Sequence, residues 1–262
     1  MTDLYDRPYQ TDYRNSVWNC GILPVYRQQL YSVYGEYKST AREFFATVNL
    51  THNREWYNRI YEQRIENGQV QRVSLPLSNH GSGYTVKSTL SKGFYDLGLK
   101  TSLMALLNIS KAEQISGGQR LPYQYRLMRL EPKVIWTPNR HWETSYQTDI
   151  RYGGNKIGER TRLAPLWNVT QQVQLSYIFS PIEASLSVDH YHNDVNEDQS
   201  VNAVFADFSV LWKSRRLQIT ATATNLFDKR TYGYTRYASL ESYTSWVRIR
   251  PREFLVAIRY QL

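Results

Sequence analysis

No stretch of this chain approaches the roughly 18–20 uninterrupted apolar residues that a membrane-spanning helix requires, which excludes a helical membrane protein. Cysteine is all but missing. The lone Cys20 has no partner for an internal disulfide, and no CxxC or Cys/His spacing marks a metal. Ala, Gly and Leu fall short of what a soluble α/β enzyme usually carries. The opening residues, MTDLYDRPYQTDYRN, contain no apolar h-region, so no signal peptide is expected. For an exported protein this means that the true start lies elsewhere or that the chain is a fragment.

What is abundant is tyrosine. There are 22 Tyr and 7 Trp in 262 residues, yet mean hydropathy is −0.58 and 21% of residues are charged. High aromatic content with low hydropathy suits a β-barrel, whose strands alternate apolar residues facing lipid with polar residues facing a lumen. The net charge of +9 raises the question of nucleic acid. The cations are scattered singly among 23 acidic residues, so they read as solvated surface rather than a nucleic-acid footprint.

Period-2 alternation runs through nearly the whole chain. Phe254, Val256, Ile258, Tyr260 and Leu262 share one face of the last segment, and Leu255, Ala257, Arg259 and Gln261 the other. Leu217, Ile219, Ala221 and Ala223 oppose Gln218, Thr220, Thr222 and Thr224. Trp142, Tyr146, Ile150 and Tyr152 oppose Glu143, Gln147, Asp149 and Arg151. A face of Glu, Gln, Asp and Arg cannot enter a dry core and must meet water. The pattern predicts eleven strands, near 28–39, 43–58, 82–92, 97–111, 122–136, 141–153, 166–179, 183–191, 200–213, 216–226 and 247–262. Residues 1–27 read as an external loop, and 1–262 as a single all-β, antiparallel transmembrane barrel segment.

The connections alternate in length. Short ones fall at Thr40–Arg42, Gly93–Asp96, Thr137–Arg140, Ser180–Ile182 and Ser214–Arg215; long ones at about 59–81, 112–121, 154–165, 192–199 and 227–246. Tight periplasmic turns and long extracellular loops give outer-membrane barrels this signature. Phe44, Phe94, Tyr95, Trp136, Trp142, Phe179 and Trp212 gather beside the short turns, where an interfacial aromatic girdle belongs. The count of eleven is odd, whereas single-chain bacterial barrels close with an even number. Either SVWNCGILP within 1–27 hides a further strand, or the chain is part of a larger barrel.

Two stretches near the C-terminus carry a family likeness: Asn225-Leu226-Phe227-Asp228-Lys229-Arg230, then, after a Tyr/Ser-rich loop, Ile249-Arg250-Pro251-Arg252-Glu253-Phe254. In this order and this close to the end they resemble the closing hairpin of TonB-dependent outer-membrane receptors of the Bacteroidetes type. A weaker likeness includes Leu4-Tyr5-Asp6 and Thr11-Asp12-Tyr13-Arg14. The resemblance implies a roughly 22-stranded plugged barrel, of which eleven strands are here. The plug domain and TonB-interacting box are not visible in this sequence. Implied partners are outer-membrane lipids, the barrel-assembly machinery, the N-terminal half with its plug, the TonB complex through that half, and a surface lipoprotein lid in the starch-utilisation type. Phe254, Val256, Ile258, Tyr260 and Leu262 match the apolar face of a barrel-assembly signal, although Leu262 stands where Phe or Trp is common.

Residues for chemistry are few. His190 and His192 share a face at a strand end but have no third ligand defined by sequence, so a hydrophilic strand end is the plainer reading. There is no Gly-x-Ser-x-Gly element and no phosphate-cradling loop. Neither an enzyme nor a cofactor is expected. Tyr232, Tyr234, Arg236, Tyr237, Tyr243 and Trp246 line the last long loop, with Arg248 near, and suit stacking on a sugar, peptide or ring-bearing chelate. Equally, such a loop folds on itself and plugs the mouth. The expected function is uptake of a nutrient (glycan, peptide, siderophore or similar) across the outer membrane. The alternatives are a self-contained barrel of 10–12 strands with a structural, adhesive or pore role, and a soluble all-β binding protein.

Overall fold

The structure, a computed structural model, describes residues 7–11, 13, 15–66, 69–158, 161–162, 164–196, 198–238 and 241–261, with the side chains of 65–66, 161–162, 236–238 and 241–243 outside that description. In chain order the strands are β1 (Tyr9–Gln10), β2 (Asn15–Trp18), β3 (Tyr26–Ser39), β4 (Phe44–Tyr57), β5 (Ile60–Glu66), β6 (Gln69–Leu75), β7 (Asn79–Phe94), β8 (Leu99–Ser116) and β9 (Gln119–Asn139). They continue with β10 (Trp142–Ile157), β11 (Thr161–Arg162), β12 (Leu166–Phe179), β13 (Ile182–Asp194), β14 (Ser200–Lys213), β15 (Leu217–Thr224), β16 (Thr231–Ala238), β17 (Glu241–Arg248) and β18 (Glu253–Tyr260). The fold is all-β and dominated by antiparallel pairing. No helix is long and apolar enough to cross a membrane among the described residues.

Eleven strands form an antiparallel wall in the order β3-β4-β7-β8-β9-β10-β12-β13-β14-β15-β18. These are the eleven segments that alternation marks. The strand sought within 1–27 exists as β2, but it pairs in parallel with β6 and does not join the wall. Because paired residues point to the same side of a sheet, the register follows each face across the wall. One row reads Val33–Leu50–Val86–Leu107–Met128–Tyr152–Trp167, and another Leu186–Phe208–Ala223–Phe254. The opposite face carries Asn49 against Lys87, Thr51 against Thr85, Gln172 against Asp189 and Ser185 against Ser209. Here Asn108 Nδ2 donates to Thr85 Oγ1 at 2.8 Å, and the Ser185 and Ser209 hydroxyls lie 2.7 Å apart.

The apolar face is open. Val33, Leu50, Met128, Phe208, Val256 and Ile258 are all exposed. The fully buried Ile60 lies instead where β5 meets the far end of β8, with Val73 and Ile115 buried nearby. Most large exposed apolar side chains therefore sit on one side of one sheet. An exposed patch of that extent marks a surface that something other than water covers.

The five short turns fall at one end of the wall, where expected. The opposite end departs from a set of plain long loops. Residues 112–121 are not a loop: β8 and β9 run on to a two-residue turn at Gly117–Gly118, with φ of 57° and 75°. Two successive positive φ values define the hairpin turn whose twist matches its strands, and only glycine adopts them without strain. Likewise β10 continues to Ile157 and β13 to Asp194. The segments 59–81 and 227–246 hold the hairpins β5–β6 and β16–β17. The final strand splits: β17 ends at Arg248 and β18 starts at Glu253, because Pro251 has no N–H to donate to a ladder.

Candidate functional site

The polar face is covered at its long-connection end by the β16–β17 hairpin. Asn193 of β13 holds it there, donating from Nδ2 to the Tyr232 hydroxyl (2.9 Å) and the Gly233 carbonyl (3.3 Å). The Tyr232 ring meets Tyr191 edge-on at 5.2 Å. Between hairpin and wall lies a cleft of about 520 Å³, lined by Tyr125, Arg129, Asp149, Arg151, Asn168, Tyr232, Tyr234 and Thr235 among others.

Its floor is an ionic ladder created by register. Arg151 of β10 stands directly opposite Arg129 of β9. Two guanidinium groups so placed repel. Asp149 relieves the repulsion: it accepts from Arg129 Nε and Nη2 at 3.0 Å each, and from Arg151 Nε and Nη2 at 3.0 and 2.5 Å. Arg129 also pairs with Glu131. These four groups balance in charge, so the floor offers donors and acceptors without net sign. With Tyr125, Tyr232 and Tyr234 above, it suits a polar, ring-bearing ligand.

No family model, curated protein or solved structure matches this chain.

The loop residues singled out for binding separate. Tyr232 and Tyr234 turn into the cleft. Trp246, 63% exposed, packs across the hairpin on Gly233, where an added Cβ would lie 2.7 Å from the indole. Arg236, Tyr237 and Tyr243 belong to β16 and β17, but their side chains fall outside the described residues. The ladder was missed as a site. Asp149 and Arg151 are visible as a polar face, but their meeting with Arg129 depends on inter-strand register.

Phe44, Phe94, Trp136, Trp142, Phe179 and Trp212 all lie on the apolar face at the short-turn end. A second aromatic row, not anticipated, bounds that face at the other end: His52 stacks on Tyr84 at 4.3 Å and Tyr152 meets Trp167 at 4.8 Å. Phe254, Val256, Ile258 and Tyr260 point to the same face from β18, and Leu262 lies outside the described residues. So do Leu4, Tyr5, Asp6, Asp12 and Arg14. His190 Nδ1 is 3.1 Å from Gln171 Oε1, and His192 Nδ1 is 2.9 Å from Asn202 Oδ1. No group of three or more metal-ligating side chains occurs among the described residues.

The two motif halves near the C-terminus meet in space. Asn225 Nδ2 donates to the carbonyls of Lys229 and Arg250, both at 2.8 Å, and Asp228 Oδ1 accepts from the Arg252 backbone N–H at 2.9 Å. They form a clasp at the base of the β16–β17 hairpin.

Proposed function

We propose that this chain is part of the wall of a bacterial outer-membrane β-barrel, the C-terminal portion of a TonB-dependent transporter that imports a nutrient such as a glycan, peptide or siderophore. The observation that carries the reading is the continuous apolar face bounded by two aromatic rows, backed by a hydrophilic face. Trp142 and Tyr152 mark the two boundaries ten residues apart on β10, as do Tyr84 and Phe94 on β7. At ~3.4 Å per residue and a tilt of ~40°, ten residues rise roughly 26 Å, the height of the apolar band of such barrels. The clasp between the Asn225 and Ile249 motifs supports the family reading, since it gives both halves one structural task. In this reading the cleft beneath the β16–β17 hairpin contributes to ligand capture, and energy coupling belongs to the plug-bearing half.

The self-contained barrel is the weaker reading. Ten successive antiparallel pairings leave β3 and β18 running in the same direction, so direct closure would need a parallel pair. Antiparallel closure needs an odd number of further strands, which a second copy of the wall supplies only in the wrong direction. Fractionation of the producing cell tests the proposal. The chain should partition with the outer membrane, resist carbonate extraction and need detergent, and disrupting its gene should abolish growth on one nutrient. Recovery as a monomer in plain buffer defeats the membrane reading; outer-membrane residence with unaltered growth on every nutrient defeats the transporter reading alone.

A further inference from the structure

On the apolar side of the wall, just past the aromatic row at the long-connection end, stands a group of cations. Lys111 of β8 opposes Gln124 of β9, which opposes Lys156 of β10. Arg126, the next residue along β9 on this face, opposes Ile109 and Gly154, which makes it the diagonal neighbour of both lysines. Diagonal neighbours on one face lie ~7–8 Å apart. None of the three forms an ion pair among the described residues. The nearby carboxylate on this face, Glu113, is engaged by Arg120 at 3.2 Å. Arg54 extends the row through Ser82. A cleft of about 470 Å³ opens here, lined by Arg54, Trp56, Lys111, Gln124 and Lys156 together with the carboxylates Glu55 and Glu113.

The charge is local. Past Trp167 the same face carries Asp194 of β13, whose Oδ2 accepts the Trp167 backbone N–H at 2.8 Å, and Ser200 of β14 opposite it. Immediately below the cations, toward the middle of the wall, the same face carries Ile109, Met128 and Tyr152. Positive charge above exposed apolar surface is complementary to an anionic amphiphile, and a soluble anion would leave the lower half uncovered.

We infer that Lys111, Arg126 and Lys156 bind the phosphorylated headgroup of a membrane lipid whose acyl chains lie along Ile109, Met128 and Tyr152. The inference rests on the outer-membrane reading above. A phosphate oxygen accepts charge-assisted hydrogen bonds from ammonium and guanidinium groups, and its charge relieves the repulsion among the three.

The test is native mass spectrometry of the full chain in zwitterionic micelles, with phosphatidic acid, phosphatidylcholine or inorganic phosphate added separately. Phosphatidic acid should be retained in preference to phosphatidylcholine, and inorganic phosphate should not displace it. The K111Q/R126Q/K156Q variant should weaken retention about 100-fold, as three cations at ~1 kcal/mol each imply. K213Q/R215Q/R216Q, which removes equal charge at the opposite end, should leave it unchanged. Circular dichroism checks that each variant keeps its strands, and the single substitutions, expected at about fivefold each, serve if the triple does not fold. Equal loss from both triple variants, or displacement by inorganic phosphate, overturns the inference and leaves the membrane reading standing. A chain that enters no micelle overturns both.

Discussion

Asn225 sits at φ 50° and is almost fully buried, which is the left-handed region that asparagine enters more readily than most residues. Its side chain satisfies two carbonyls, and its Oδ1 accepts from the Lys229 N–H at 2.9 Å. Asn225→Ala removes these bonds and leaves a backbone strained for alanine, so it should cost ~2–4 kcal/mol. Asn225→Gly keeps the backbone at ease and should cost less. Tryptophan fluorescence during denaturant titration in micelles reads both; an alanine variant as stable as the parent would show that the clasp is idle. Asp228 adds a pH dependence. The Arg252 backbone N–H, and then the Arg230 guanidinium at 2.8 Å, hold its carboxyl below the usual carboxylate range. A lowered folded value means that its contribution is complete above the ordinary carboxylate pKa, near ~3.9. It is lost as pH falls through the lowered value. Asp228→Asn should therefore flatten the acid limb of a stability-against-pH curve, and an acid limb identical to the parent's would refute the clasp's role.

At the scale of elements, the two faces should tolerate opposite substitutions. Leu130 of β9 lies between Ala105 and Ile150 in the middle of the apolar face. In the outer-membrane reading, Leu130→Arg places a guanidinium at the depth of hydrocarbon and should cost ~2–4 kcal/mol. Thr222→Arg, on the hydrophilic face of β15, should change stability by no more than ~0.5 kcal/mol. Chemical denaturation from micelles measures the pair, and comparable losses would mean that the faces do not meet different solvents. The same contrast explains what could be read beforehand. Most wall strands have two unlike faces, so alternation locates them. The β16–β17 hairpin has no such contrast, since Tyr232, Tyr234, Thr235 and Thr244 are amphipathic or polar on both sides. The Gly117–Gly118 turn has a signal in its paired glycines, which suit two successive positive φ values. The ionic floor of the cleft was out of reach for another reason. Alternation says that Arg129, Asp149 and Arg151 point inward on their strands, but stagger between strands decides whether they meet.

For the molecule as a whole, the decisive feature is the pair of open edges. Side chains are exposed along all of β18 and all of β3 but Ser39, and each strand pairs on one side only among the described residues. The central strands β8 and β9 pair on both sides along most of their length. Backbone groups left unpaired in hydrocarbon cost several kcal/mol each, so a wall in this form is stable in lipid only when other strands complete it. In the isolated chain the edges must stay solvated by water or detergent headgroups, and their amides should exchange with solvent far sooner than those of the centre. Hydrogen–deuterium exchange of the micelle-bound chain should accordingly protect β8 and β9 for longest and release β3 and β18 first. The parity of the meander makes this a sharp test. If both edges proved as slow as the centre without any added strand, the chain would have closed by a parallel seam, and the case for a missing odd-stranded complement would fall.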